Sequence, residues 1–178
     1  MTNPGQSRQL NGIDLGELQA ALDEIGEQPE ARHAGKRSRI QWLGGFRFNS
    51  FVRNNTFVVE EPASASAGDN SPNAMEYVLG ALGSCLATGF VLNATRQGIP
   101  IINLEVALDS TQDNVFTFFG LSDEGHPGFM EVRAKLYVQA DADEGVLQEI
   151  WERSVSTSPV GNSLARNVRI SAEISVVE

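Results

Sequence analysis

The chain has 178 residues, a formal charge of −10, and 41% hydrophobic against 20% charged residues, the balance of one soluble globular domain. An acidic excess of this kind argues against nucleic acid, whose phosphates need a basic face, and against an anionic membrane surface, and its simplest role is solubility. One cysteine, Cys85, excludes an intramolecular disulfide and a cysteine-rich zinc cluster, and the polar start MTNPGQSRQL lacks the apolar core of a secretory signal, so the cytoplasm, where a thiol stays reduced, is the expected location.

In chain order, residues 1–10 are polar, carry Pro4 and Gly5, and read as a frayed start. Asp14 is placed to cap an amphipathic helix whose apolar stripe is Leu15, Leu18, Ala21, Leu22 and Ile25, with Pro29 ending it. That helix is either a packing element or a lid. Residues 31–39, ARHAGKRSR, hold five basic residues counting His33 and read as a solvated linker. Ile40–Phe51 and Asn55–Glu60 read as two strands: Phe46, Phe48 and Val52 alternate with Arg47, Asn49 and Arg53, and Asn54-Asn55 is the expected turn. Glu61–Asn70, rich in Ala, Ser and Gly, reads as a loop.

Residues 71–97 form the longest apolar stretch. Ser71 and Pro72 open it, Gly98 and Pro100 close it, and Met75, Leu79, Leu82, Leu86, Phe90 and Asn93 recur at helical spacing. Gly80, Ala81, Gly83, Ser84, Ala87 and Gly89 are small, so a second backbone can approach this helix closely. Glu76, Asn93 and Arg96 cut the apolar run below a bilayer's length. Beyond it, Ile101–Leu108 reads as a strand with Ile102, Leu104, Val106 and Leu108 inward. Asp109–Phe129 reads as a long irregular segment carrying Phe116, Phe118 and Phe119, and such loops usually cover something. Met130–Gln139 is a further strand. Asp141 or Asp143 caps a second helix with Val146, Leu147, Ile150 and Val155 on its apolar face, Trp151 beside it, and an end before Pro159. Val168–Val177 alternates Val168, Ile170, Ala172, Ile174 and Val176 and reads as a closing strand. The order lacks regular β-α-β alternation, so the fold class is α+β. A single subunit would leave one helix face bare, which points to a dimer.

The run P-N-x-M-E-Y-x-L-x-A-L-G-S-C-L from Pro72 to Leu86 resembles the signature helix of the OsmC/Ohr family, the osmotically inducible and organic-hydroperoxide-resistance proteins. Gly120–Phe129 (GLSDEGHPGF) and Ser158–Val160 (SPV) resemble a single-cysteine branch, and the likeness runs from about Trp42 to Glu178. It implies an antiparallel-rich sheet wrapped around two central helices in an intertwined homodimer. Residues 1–39 are then an extension and 40–178 the family domain.

A free buried cysteine is most often only a small hydrophobe. The resemblance gives Cys85 a sharper role, the peroxidatic thiol of an organic-hydroperoxide reductase, which must act as a thiolate although an ordinary thiol is mostly protonated at neutral pH. In the family an arginine from the first strands favours the thiolate and a helix glutamate holds that arginine. Arg47 and Arg53 are the candidates here, each equally an ordinary strand arginine. The glutamate position falls on Met75, and Glu76 is its neighbour, about 100° around the helix. The resolving cysteine of two-cysteine members is replaced by Ser158, which cannot form the protecting disulfide, so turnover needs an external thiol or a second subunit's thiol.

His33 and His126 suggest no metal site, and Gly44-Gly45 is no phosphate loop, so no metal or cofactor is expected. His126, between Gly125 and Pro127, reads as a turn residue. The sequence thus supports a thiol-dependent hydroperoxide reductase serving oxidative-stress defence. The alternatives are a non-catalytic protein of the same fold binding a small apolar ligand, and a structural dimer with an inert thiol.

Overall fold

The computed structural model describes residues 8–62 and 71–176. The frayed start expected for residues 1–7, most of the loop expected before residue 71, and Val177 lie outside the described residues. The fold is α+β, with five α-helices and antiparallel strand pairing among the described residues. By its contacts the chain divides into two compact units, residues 1–81 and 82–178.

The first unit opens with a small antiparallel pair that the polar sequence did not announce, β1 (Gln9–Leu10) and β2 (Ile13–Asp14). Asn11 and Gly12, both at positive φ, make its turn. Asp14 caps α1 (Leu15–Glu27) as expected, its Oδ1 accepting from the amides of Gly16 and Glu17 at 2.8 and 3.0 Å. A short 3-10 turn, Pro29–His33, follows. The segment expected to be one strand from Ile40 to Phe51 is two, β3 (Arg39–Gly44) and β4 (Arg47–Val52). Gly44 and Gly45 sit at φ +107° and +57°, where a Cβ is disfavoured, and so the chain can reverse there. The next turn is Arg53-Asn54 and not Asn54-Asn55, because Val52 pairs with Asn55. The hairpin partner β5 (Asn55–Glu60) completes a sheet of order β3-β4-β5.

The long helix α2 spans Ala74–Arg96. Its start is a capping box: Asn73 Oδ1 accepts from the Glu76 amide at 2.9 Å, and Glu76 Oε2 accepts from the Asn73 amide at 2.8 Å. Its end is a Schellman closure, with Gly98 at φ +74° and the Ile99 amide reaching back to the Ala94 carbonyl at 3.0 Å. By length and composition alone α2 would suffice to cross a bilayer. Its buried residues Leu82, Gly83, Leu86, Phe90, Ala94 and Thr95 instead face protein.

The second unit is built on the hairpin of β6 (Ile101–Gln112) and β7 (Phe129–Ala140). Leu104, Val106, Leu108, Val132, Leu136 and Val138 are half-buried on one face. Ile102, expected inward, is 68% exposed, because the register shifts between Ile101 and Asn103 and turns it outward. Between the strands, residues 113–128 include a short helix, α3 (Val115–Phe118). Asn114 organises this connection: its side chain donates to Ser122 Oγ and the Glu124 carbonyl and accepts from the Phe116 amide. His126 is a turn residue, its Nδ1 accepting from the Gly128 amide at 3.1 Å. Helix α4 (Glu144–Thr157) follows, with Asp143 at its cap position. It crosses α2 closely: a Cβ on Gly89 would stand 3.2 Å from Ser154 Cβ and 3.4 Å from its Cα. That is the close approach the small residues anticipated. Phe90, Ala94, Ile99 and Ile150 form the buried centre.

Two features of the C-terminal region differ from expectation. A separate helix, α5 (Pro159–Ala165), follows α4. The expected closing strand is absent among the described residues, where 168–176 have no strand partner in the sheets. Val168, Ile170, Ile174 and Val176 are 63–89% exposed. Alternation gives a segment its strand propensity, but a strand exists only when a neighbour completes its ladder.

Candidate functional site

Cys85 lies in the second unit, at the point of α2 where Leu82, Cys85 and Leu86 share a face by their spacing. Leu82 and Leu86 are buried, whereas Cys85 is partly exposed and carries a free thiol. Facing it is Ser158, the residue that joins α4 to α5 and is 2% exposed. Ser158 Oγ donates to Cys85 Sγ at 3.2 Å.

Local sequence explains why Ser158 stands there. Pro159 cannot extend α4 but suits the first turn of a new helix, and serine is a preferred cap, so Ser-Pro breaks one helix and begins another. The cap geometry is complete: the Gly161 amide donates to Ser158 Oγ at 3.0 Å. The Ser158 carbonyl accepts from the Asn162 amide at 2.9 Å and from Asn162 Nδ2 at 2.8 Å, and Nδ2 also reaches the Ser156 carbonyl at 3.0 Å. Gly161 and Asn162 therefore fix Ser158, and neither was singled out from sequence. The signal available was Ser-Pro followed by Gly-Asn, a cap pattern hidden by reading Pro159 only as a terminator.

A cavity of about 820 Å³ lies within the second unit; Gly161 and Asn162, which hold Ser158, are among its lining residues, whereas Cys85 and Ser158 are not. Leu82 and Leu86 from α2, Phe129 and Val132 from β7, Trp151 from α4 and Leu164 from α5 line it. An apolar cavity with a few polar groups is what a small organic molecule needs.

The other candidate site residues from sequence, Arg47, Arg53 and Glu76, belong to the first unit. Arg47 Nε lies 3.6 Å from Glu60 Oε2 across the β4–β5 pair. Arg53 occupies the hairpin turn with φ +54°. Glu76 closes the capping box of α2. Cys85 and Ser158 are thus the predicted pair that the structure brings into contact.

A family model described as OsmC-like protein matches residues 67–173. The chain belongs to the OsmC-like protein family. Solved structures of this OsmC-like fold agree with that assignment. An OsmC-like protein from Mycoplasma pneumoniae is 14% identical, with a TM-score of 0.63 over 74% of this chain and 88% of its own. An OsmC-like protein of unknown function from Vibrio cholerae is 10% identical, with a TM-score of 0.61 over 74% of this chain and 94% of its own. An organic hydroperoxide resistance protein from Legionella pneumophila is 10% identical, with a TM-score of 0.54 over 73% of this chain and 88% of its own. At such identities the likeness is one of fold. No curated protein matches the sequence.

Proposed function

We propose that this OsmC-like protein is a single-cysteine, thiol-dependent reductase of organic hydroperoxides, acting in the cytoplasm as a homodimer. The observation that carries the reading is the Ser158 Oγ–Cys85 Sγ hydrogen bond, whose neighbours Leu82, Leu86 and Gly161 line an apolar cavity. A partly exposed thiol with a fixed donor is a nucleophile's setting, and the cavity suits the hydrocarbon part of a hydroperoxide.

In the reaction, the Cys85 thiolate attacks the terminal oxygen of the hydroperoxide. The O–O bond breaks, the leaving oxygen takes a proton from water and departs as an alcohol, and the sulfur becomes a sulfenic acid. Sulfur loses two electrons and the peroxide gains them. An external thiol then attacks the sulfenic sulfur, releasing water and leaving a mixed disulfide. A second thiol displaces Cys85 and carries the disulfide away.

The dimer is supported by apolar surface. Trp42 is 67% exposed, Phe46 60%, Ile170 88% and Ile174 89%. A second copy of the chain is the proposed cover for these side chains, with 168–176 pairing as the strand its alternation describes.

The test is hydroperoxide consumption by the whole protein with a dithiol as reductant. Wild type is expected to turn over and Cys85→Ser to show only the uncatalysed rate. Equal rates would overturn the reading. A second reading rests on the cavity together with the missing second thiol: a carrier of a small apolar ligand. It predicts a bound ligand in native mass spectrometry and at most one turnover with any reductant.

A further inference from the structure

We infer that Ser158 is not merely the residue left where a second thiol is missing, but a fixed hydrogen-bond donor that holds Cys85 as a thiolate. This rests on the reading of Cys85 as the reacting sulfur. A hydroxyl has one proton and two lone pairs. The Gly161 amide fills one lone pair of Ser158 Oγ at 3.0 Å, and the proton points to Cys85 Sγ at 3.2 Å. The side chain is 2% exposed, so bulk water does not compete for that proton. The backbone of Ser158 is held as firmly: its amide donates to the Val155 carbonyl at 3.3 Å, and its carbonyl accepts both donors of Asn162.

The direction of the effect follows from what sulfur accepts. A thiol is a weak acceptor, whereas an anionic acceptor makes a charge-assisted bond about twice as strong. A hydroxyl oxygen held against the sulfur therefore favours the charged sulfur over the neutral one. The cap of α5 orients the donor, and Asn162 holds the cap: two residues outside any expected catalytic set position the hydroxyl that serves the sulfur.

Alkylation by iodoacetamide tests this without any hydroperoxide. At neutral pH Ser158→Ala is expected to alkylate about tenfold more slowly than wild type, the loss of one hydrogen bond of about 1.4 kcal/mol. The thiolate ultraviolet absorbance should fall in step, and Ser158→Thr, which keeps the hydroxyl, should restore both. Unchanged rate and absorbance in a folded Ser158→Ala protein would overturn the inference even if wild type consumes hydroperoxide. A slowed Ser158→Ala protein with no hydroperoxide turnover in wild type would overturn the peroxidase reading and leave Ser158 in its role. If Ser158→Ala does not fold, Ser158→Cys decides. A second sulfur at that place lies within reach of a disulfide, so diamide should remove both free thiols and two hydrogens of mass within one chain. Two free thiols after diamide would show that the side chain does not face Cys85 and would overturn the inference.

Discussion

Ile170 and Ile174 offer the sharpest test of the proposed dimer. In the single chain they are 88% and 89% exposed. If they stayed so, replacing both with alanine would change stability by no more than about 0.5 kcal/mol each, the usual effect of a surface substitution. If a second copy covers them, each isoleucine leaving water contributes about 2 kcal/mol. A symmetric pair holds four such side chains, a gross contribution of roughly 8 kcal/mol. Losing even half of that weakens dimerisation about a thousandfold. Light scattering across a dilution series reads this directly. Wild type should keep the mass of two chains, while Ile170→Ala/Ile174→Ala should dissociate at concentrations where wild type does not, with a melting temperature that depends on protein concentration. A double variant that keeps the wild-type mass and melting temperature at every dilution would refute the reasoning that this alternation is a strand awaiting a partner.

Two further outcomes follow from packing and charge. Gly89→Val should destabilise the protein by about 1–3 kcal/mol in urea unfolding, because the first added atom already stands 3.2 Å from Ser154 Cβ and the backbone behind it cannot yield. On β7, Arg133 holds the Glu131 carboxyl below its ordinary range, through a hydrogen bond of 2.7 Å and then through charge. A depressed carboxyl contributes stability above its unfolded value and loses it as pH falls through the folded one. Arg133→Gln should therefore remove a small advantage at neutral pH that wild type itself loses on acidification. The pair lies on the surface, so the difference between the two proteins in an acid titration should shrink near 1 M salt, where screening acts over about 3 Å.

The Cys85–Ser158 contact was partly legible before the fold. Cys85 stood out as the one thiol, on a helix whose small residues promised a close neighbour, and Ser158 stood out by resemblance as its counterpart. The clasp that makes Ser158 a donor was not legible, because the Gly161 and Asn162 bonds depend on a second helix starting where Pro159 was read only as an end. Glu76 is instructive for the opposite reason. The resemblance made it a candidate only as the neighbour of Met75, about 100° around the helix, yet three residues after Asn73 it is the partner of a capping box, and that local role is the one its hydrogen bonds record.

Sequence alone determined what depends on neighbours within a few residues. The α1 cap at Asp14, the α2 helix with its glycine stop, and the two long strands of the second unit all follow from periodicity and from the backbone freedom of particular residues. Tertiary structure decided what depends on distant segments. It turned Ile102 outward by a register shift, reversed the chain at Gly44-Gly45, seated α4 against Gly89, and brought Ser158 to Cys85 across 73 residues of chain. The same distinction explains the C-terminal segment: alternation is written in the chain, but a strand needs a neighbouring ladder, and among the described residues none pairs with 168–176.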